Sequence, residues 1–215
     1  VCLADKNGKI YQLDRSIEVL ADSVKFAMEL VDTPPSELSP SPYCERVREC
    51  FASHGDVEIS EIAGAELIKE GLCGLHAVGR AAEDEPRLLV LDYAPKSSQT
   101  TIVLIGKGLT YDTGGLSLKI SGSMVGMKSD MGGSAAVIGA FRHLVETKPN
   151  ARIIVGLGIV ENAIGPKSYK LDDVLQMHSG KTVEVNNTDA EGRIVLADAN
   201  SYLVRRYKPH FVIEA

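Results

Sequence analysis

Residues 102–119 read IVLIGKGLTYDTGGLSLK, and this stretch decides the fold. Its first four residues, Ile102 to Ile105, form an uninterrupted apolar run, which is typical of a strand buried on both faces of a sheet. A glycine-rich segment follows the run at once. In open α/β sheets, ligands bind beyond the carboxyl ends of the strands. The stretch therefore predicts a buried strand that leads into a binding site containing Lys107 and Asp112.

Short apolar runs of the same kind recur on either side, at residues 88–91, 153–160 and 211–213. Helical patterns at about 134–146 and 190–206 lie between the later runs. Strands and helices thus alternate along the chain. This order predicts an α/β fold, with a mostly parallel sheet flanked by helices.

Two helices are predicted before the alternating region. From Ile17, apolar residues recur at helical spacing until the pair Pro34–Pro35 stops the helix. A second helix is predicted to start with Ser41 as its cap and Pro42 at its first position, and to end at Gly55.

The chain stops inside an expected element. Val212 and Ile213 belong to a predicted buried strand, yet Ala215 is the last residue. A domain normally continues from such a strand into an element that covers it. We therefore expect the domain to be truncated at its carboxyl terminus.

Composition excludes two classes of partner. The 215 residues are 44% hydrophobic and 24% charged, which is the balance of a globular protein with a core. A net charge of -6 repels phosphate backbones and anionic membranes, so neither nucleic acid nor a membrane is expected as a partner. The four cysteines, Cys2, Cys44, Cys50 and Cys73, show no metal-binding or disulfide spacing. We expect reduced thiols in a cytoplasmic protein.

A second glycine-containing motif is NTDAEGR, residues 187–193. In an extended backbone, the side chains of Asp189, Glu191 and Arg193 would point to one face, where they could bind a cation and an anion together. The alternative is a surface charge cluster at a strand-to-helix turn, with a carboxylate stabilising the start of the helix. The motif alone leaves both interpretations open.

The remaining motifs are weak by themselves. Asp130 in DMGG, residues 130–133, can be a simple turn residue next to two glycines. GKG lacks the Ser or Thr that follows Gly-Lys in a phosphate-binding loop. A nucleotide-binding α/β domain is disfavoured because clustered carboxylates would repel phosphate unless metals intervened.

Taken together, GKGLTYDTGGLSLK, KSDMGG and NTDAEGR closely resemble, in order and spacing, the leucine aminopeptidase (cytosol aminopeptidase) family. The resemblance covers nearly the whole chain, and NTDAEGR is highly specific to that family. It implies that residues 36–215 form an incomplete metallopeptidase catalytic domain. Residues 1–35 would be a connecting segment and a helix that lead into this domain.

The resemblance also implies a role for each matching position. The expected metal ligands are Lys107, Asp112, Asp130, Asp189 and Glu191. Asp112 and Glu191 would bridge two divalent ions, which are zinc in both positions, or manganese or magnesium in one. Lys119 and Arg193 would be catalytic. Met127 would line the pocket for the first side chain of the substrate, or else be an ordinary core methionine.

Charge supports this ligand set independently of the family. Four carboxylates balance two dications, and without metal they would repel one another until some became protonated. A lysine can bind a metal only as the neutral amine, so the pKa of Lys107 would have to fall from about 10.4.

The mechanism implied by the family is hydrolysis by a water that bridges two metals. Lys119 would donate to the developing oxyanion, and a bicarbonate held by Arg193 would act as general base. The substrates would be peptides with a free amino terminus, and the full-length protein would be a homo-hexamer.

Two parts of the family pattern are missing from the chain: the amino-terminal domain, and the segment that follows Ala215. A fragment without them can be inactive. The rival hypothesis is therefore a non-catalytic interaction or assembly module that retains a metal site.

Overall fold

The computed structural model describes residues 3–11 and 14–215, so Cys2 and parts of the predicted connecting segment lie outside the described residues. The strands are β1 Leu3–Ala4, β2 Ile10–Tyr11, β3 Val57–Ala63, β4 Arg87–Tyr93, β5 Thr101–Asp112, β6 Arg152–Asn162, β7 Val174–Gln176, β8 Thr182–Glu184 and β9 Phe211–Glu214. The helices are α1 Arg15–Asp32, α2 Pro40–Phe51, α3 Ala65–Lys69, α4 Cys73–Gly79, α5 Gly132–Thr147 and α6 Glu191–Tyr207. Short 3-10 turns precede α5 and α6, at Met127–Ser129 and Thr188–Ala190.

A five-stranded sheet with the order β3-β4-β6-β5-β9 forms the centre of the protein. Strands β3 and β6 each run antiparallel to β4, whereas β5 pairs in parallel with both β6 and β9. Within this five-stranded sheet, all strands except β4 therefore share one direction. This confirms the predicted α/β fold with a mostly parallel sheet, and it places the carboxyl ends of β5 and β6 side by side.

Each face of the sheet carries its own hydrophobic core. Leu88 and Val90 of β4 pack with α4 and α6 on one face, whereas Leu89 and Leu91 pack with α1, α2 and α5 on the other. Successive side chains of a strand point to opposite faces, so both cores draw on the same apolar run. The prediction that this run forms a strand buried on both faces is confirmed.

The second helix begins and ends earlier than predicted. Pro40 lies in its first turn, and Ser41, the predicted cap, already lies inside the helix. The cause is Asp84, whose carboxylate accepts hydrogen bonds from the Ser41 N–H at 2.6 Å and from the Ser39 hydroxyl at 2.7 Å. An anion from a distant part of the chain thus stabilises the first turn. The helix ends at Phe51, before the predicted end at Gly55.

Strand β9 forms as predicted, but the prediction that it is buried is wrong. Phe211 and Ile213 are 62% and 57% exposed. The strand lies at the edge of the sheet, where it pairs with β5 on one side. Among the described residues, no element covers the faces of this strand, which leaves its apolar side chains exposed.

Two further expectations concern the cysteines and the membrane. Cys44, Cys50 and Cys73 are free thiols, as the absence of a disulfide spacing predicted. Among the helices of the described ranges, none combines the length and the apolar character needed to cross a membrane.

Candidate metal centre

Three acidic side chains converge beyond the carboxyl end of β5. Oxygen atoms of Asp112, Asp189 and Glu191, one from each carboxylate, all lie within 4.8 Å of one another. Asp112 ends β5, Asp189 lies in the 3-10 turn and Glu191 begins α6. Asp112 and Glu191 are each only 2% exposed. Buried negative charges at this distance repel one another, so the cluster needs cations.

Lys107 connects Asp130 to this acidic cluster. Its Nζ lies 2.8 Å from both carboxylate oxygens of Asp130 and 3.0 Å from Oε1 of Glu191. The structure therefore brings together all five residues for which the sequence predicted metal binding. Their role as ligands stays a prediction.

Lys119 lies on the other side of the same cluster. Its Nζ is 2.9 Å from Oδ2 of Asp112 and also contacts Oδ1 of Asp189. The Lys119 side chain is 13% exposed, and that of Asp189 is 32% exposed. The ammonium group thus lies at the border between the buried carboxylates and solvent.

The NTDAEGR motif is not extended, and the prediction based on an extended backbone is wrong. The Asn187 side chain accepts a hydrogen bond from the Asp189 N–H at 2.9 Å and starts a turn that runs into α6. The alternative, a strand-to-helix turn, describes the backbone correctly. Asp189 and Glu191 converge nonetheless, because one precedes the helix and the other begins it.

Arg193 makes no hydrogen bond or salt bridge with the clustered carboxylates in the described part of the chain, and its catalytic role stays a prediction. It lies two residues beyond Glu191 on the helix, which places the two side chains on different faces. Its side chain is exposed, and within the described ranges it makes no hydrogen bond or salt bridge. Met127 is partly buried in the turn that leads to Asp130, outside both hydrophobic cores.

The net effect of burial and the neighbouring charges is to raise the pKa values of three of the clustered groups, Glu191, Asp130 and Lys107. Burial raises the pKa of Glu191, and the charge of Asp112 raises it further. Burial also raises the pKa of Asp130, against the hydrogen bond from Lys107. For Lys107, burial works against the charge, but the hydrogen bond to Asp130 and the charge of Glu191 outweigh it and raise the pKa. The cluster therefore favours any added positive charge.

Two features of the site fit a bound divalent ion. Oε2 of Glu191 is buried and has no hydrogen-bond partner in the described part of the chain. Gly192 leaves room for the lysine, since a Cβ atom there would lie 2.7 Å from Cε of Lys107. Carboxylate oxygens and one amine nitrogen form a donor set that suits zinc, manganese or magnesium.

Sequence reasoning missed the residues that hold the loops of the site. Thr188 Oγ1 donates to the Gly114 carbonyl at 2.7 Å and accepts from the Ser117 N–H at 2.7 Å. The Tyr169 hydroxyl donates to the Thr188 carbonyl at 2.7 Å, and Asn162 donates to the same oxygen at 3.1 Å. Only Asn162 had a usable signal, because it ends the strand beside β5.

A family model described as the cytosol aminopeptidase family, catalytic domain, matches residues 25–215. A protein of Roseiflexus castenholzii called a probable cytosol aminopeptidase is 41% identical over 196 residues, which cover 91% of this chain and 40% of the relative.

Solved structures give the same picture. Leucyl aminopeptidase from Trypanosoma brucei in complex with Bestatin superposes with a TM-score of 0.90 at 40% identity, covering 95% of this chain and 40% of that one. The bottromycin maturation enzyme BotP in complex with Mn gives a TM-score of 0.83 at 38% identity, covering 91% and 42%. The chain thus spans about 40% of the length of the proteins that it matches.

Proposed function

The chain belongs to the cytosol aminopeptidase (leucine aminopeptidase) family, and from this premise we propose that it is a metal-dependent aminopeptidase. The reaction would be hydrolysis of the amino-terminal peptide bond of peptides. The single observation that carries the proposal is the convergence of four carboxylates and Lys107 in one site. Such a set has little use in a protein that holds no cation, because buried carboxylates repel one another.

The five clustered residues would hold two divalent ions, which would be zinc, or manganese or magnesium in one position. When bound, such a pair polarises the peptide carbonyl and activates water near neutral pH. The Mn complex of the similar enzyme BotP supports a metal in this family. The carboxylates would balance the four positive charges, and Lys107 would bind as the neutral amine.

Two residues at the border of the site would orient the substrate. Asp130, whose side chain is 23% exposed, would accept hydrogen bonds from the free α-amino group and so select for an unblocked amino terminus. Lys119 would turn from Asp112 and Asp189 to donate to the oxyanion that develops on the carbonyl oxygen.

The exposed Arg193 would hold a bicarbonate as general base, and its freedom from other partners in the described ranges leaves it available. Met127, in the turn before Asp130, would contact the first side chain of the peptide. Residues 36–215 would form the incomplete catalytic domain, after a connecting segment and helix at 1–35. We carry over from the family a cytoplasmic, homo-hexameric full-length protein.

Metal analysis combined with hydrolysis of a leucine amide substrate tests the proposal. We expect two divalent ions per chain and turnover, both of which Asp112→Ala should abolish. Glu184→Ala is the matched control, since it removes an exposed acid outside the site. Metal binding without turnover would support the non-catalytic module instead. Absence of stoichiometric metal would contradict the metal site itself.

A further inference from the structure

Asn162 joins two of the segments that carry the acidic cluster. It ends β6, pairs in register with Asp112 and is 0% exposed. Its Nδ2 donates to Oδ1 of Asp112 at 2.8 Å and to the carbonyl oxygen of Thr188 at 3.1 Å. Thr188 directly precedes Asp189. One amide group thus fixes both the end of β5 and the turn before α6.

The chemistry of the neighbours allows only one orientation of this amide. Both groups that face it, the Asp112 carboxylate and the Thr188 carbonyl, are acceptors, so the NH2 group must face them. The amide oxygen, Oδ1, is buried and has no hydrogen-bond partner among residues 3–11 and 14–215. A flipped amide would set this oxygen against two others. The side chain is therefore locked.

This lock determines how Asp112 faces the cluster. Oδ1 of Asp112 accepts from Asn162 and also from the Gly114 N–H at 2.8 Å. Both donors thus contact the same oxygen, and Oδ2 is left facing Lys119 at 2.9 Å. Without the amide, Oδ1 would keep one donor, the Gly114 N–H, and Oδ2 would keep the mobile ammonium of Lys119, so the carboxylate would be held less firmly in its present orientation.

The turn before α6 is less dependent on Asn162 than Asp112 is. The carbonyl of Thr188 accepts a second hydrogen bond from the buried hydroxyl of Tyr169 at 2.7 Å. Tyr169 and Asn162 therefore both hold the Thr188 carbonyl, whereas the hydrogen bond to Asp112 comes from Asn162. A comparison of these two residues separates support of the turn from orientation of Asp112.

We propose that Asn162 is a positioning residue that orients Asp112, and with it the Thr188–Asp189 turn, for binding a divalent ion. The inference rests on the proposed function, since it assigns Asn162 to the same site. Partners that orient a ligand from behind commonly change metal affinity about 10–100-fold when they are lost.

The test compares Asn162→Leu, which keeps the size of the side chain without its donors, with Tyr169→Phe as the matched control. Mn²⁺ affinity is measured by titration calorimetry, and folding by circular dichroism. We expect Asn162→Leu to lower Mn²⁺ affinity about 10–100-fold and Tyr169→Phe to leave it near the wild-type value. If Asn162→Leu does not fold, the smaller polar variant Asn162→Ser replaces it, with the same expectation.

A second readout reports the geometry rather than the strength of binding. The visible d–d absorption of bound Co²⁺ should change shape in the Asn162 variant and stay unchanged in Tyr169→Phe. Wild-type affinity and spectrum in a folded Asn162 variant would overturn the inference, as would equal weakening by Tyr169→Phe. Failure of the wild-type chain to bind Mn²⁺ is a different result, and it would overturn the proposed function together with the inference.

Discussion

The side-chain nitrogen of Lys107 lies 3.0 Å from Oε1 of Glu191, while Oε2 of Glu191 has no hydrogen-bond partner within the described residues. The carboxylate is 2% exposed, and burial raises its pKa. A buried carboxylate that is only half satisfied lowers the stability of the fold. Such groups are typical of functional sites, where a ligand supplies the missing partner.

Glu191→Gln should therefore separate stability from metal binding. We expect the metal-free variant to unfold at or above the wild-type temperature, because the buried, half-satisfied carboxylate is gone. Mn²⁺ at a hundredfold excess over Kd should raise the free energy of unfolding of the wild type by about 2.7 kcal/mol, and its unfolding temperature with it. The unfolding temperature of the variant should not change. Equal stabilisation of both proteins by Mn²⁺ in thermal unfolding would contradict the role of Glu191.

Gly192→Ala should weaken metal binding through Lys107. A methyl group at this position would lie 2.7 Å from Cε and 3.1 Å from Nζ of Lys107, so the lysine must shift from its present position in the site. Alanine otherwise favours a helix over glycine by up to about 1 kcal/mol. Gly132→Ala is the control, since a Cβ there meets nothing within 4 Å. Calorimetry should show weaker Mn²⁺ binding for Gly192→Ala and wild-type binding for Gly132→Ala. Wild-type binding by Gly192→Ala would contradict a displacement of Lys107 by the added methyl group.

Lys119→Ala should retain the metals and lose turnover. Its Nζ contacts Asp112 and Asp189, but Lys119 is not one of the proposed metal ligands. The loss of one donor to an oxyanion typically lowers kcat about 10²–10³-fold. Metal analysis beside leucine amide hydrolysis checks both expectations. Wild-type kcat in the variant would remove Lys119 from the mechanism.

Glu161→Gln should stabilise the protein in a pH-dependent way. Burial raises the pKa of Glu161, and the charges of Asp84 and Glu83 raise it further. The native state therefore binds this proton more tightly than the unfolded state does, and wild-type stability falls as pH rises from about 4.5 through the raised pKa. Below this window, both proteins have a neutral group.

Urea unfolding between pH 4 and 8 measures this effect. The stability gained by Glu161→Gln should be largest at pH 7 to 8 and should vanish at the acid end. The exposed Glu184→Gln controls for the loss of one negative charge. A gain that does not depend on pH, or a loss of stability at pH 8, would contradict the assignment.

The sequence predicted the elements that have an uninterrupted apolar run or apolar residues at helical spacing. It missed the elements that have neither. Strand β3, VEISEIA, alternates apolar and polar residues at the edge of the sheet, and α3 and α4 are too short to show a helical period. Strand β5 continues past the predicted run through Gly106. A Cβ at Gly106 would lie 2.4 Å from Cα of Ser134, so close packing of α5 requires the glycine.

The residues of the site likewise fall into those that the sequence predicted and those that it missed. The resemblance to the family predicted Lys107, Asp112, Asp130, Asp189 and Glu191 as one site, and the fold brings them together because strand ends and helix starts meet at one edge of the sheet. The extended-backbone reasoning for Arg193 was wrong, since a helix begins at Glu191, and the role of Arg193 stays a prediction. Asn162 belongs to no motif; its place at the end of an apolar strand was its one signal, and the fold then shows that it contacts Asp112.

A crystal of the chain soaked in Mn²⁺ and examined for anomalous scattering tests the central claim most directly. The account predicts two anomalous peaks among Lys107, Asp112, Asp130, Asp189 and Glu191, with Lys107 within bonding distance of one of them. Peaks only on the protein surface, or a site that stays free of metal at saturating Mn²⁺, would contradict it.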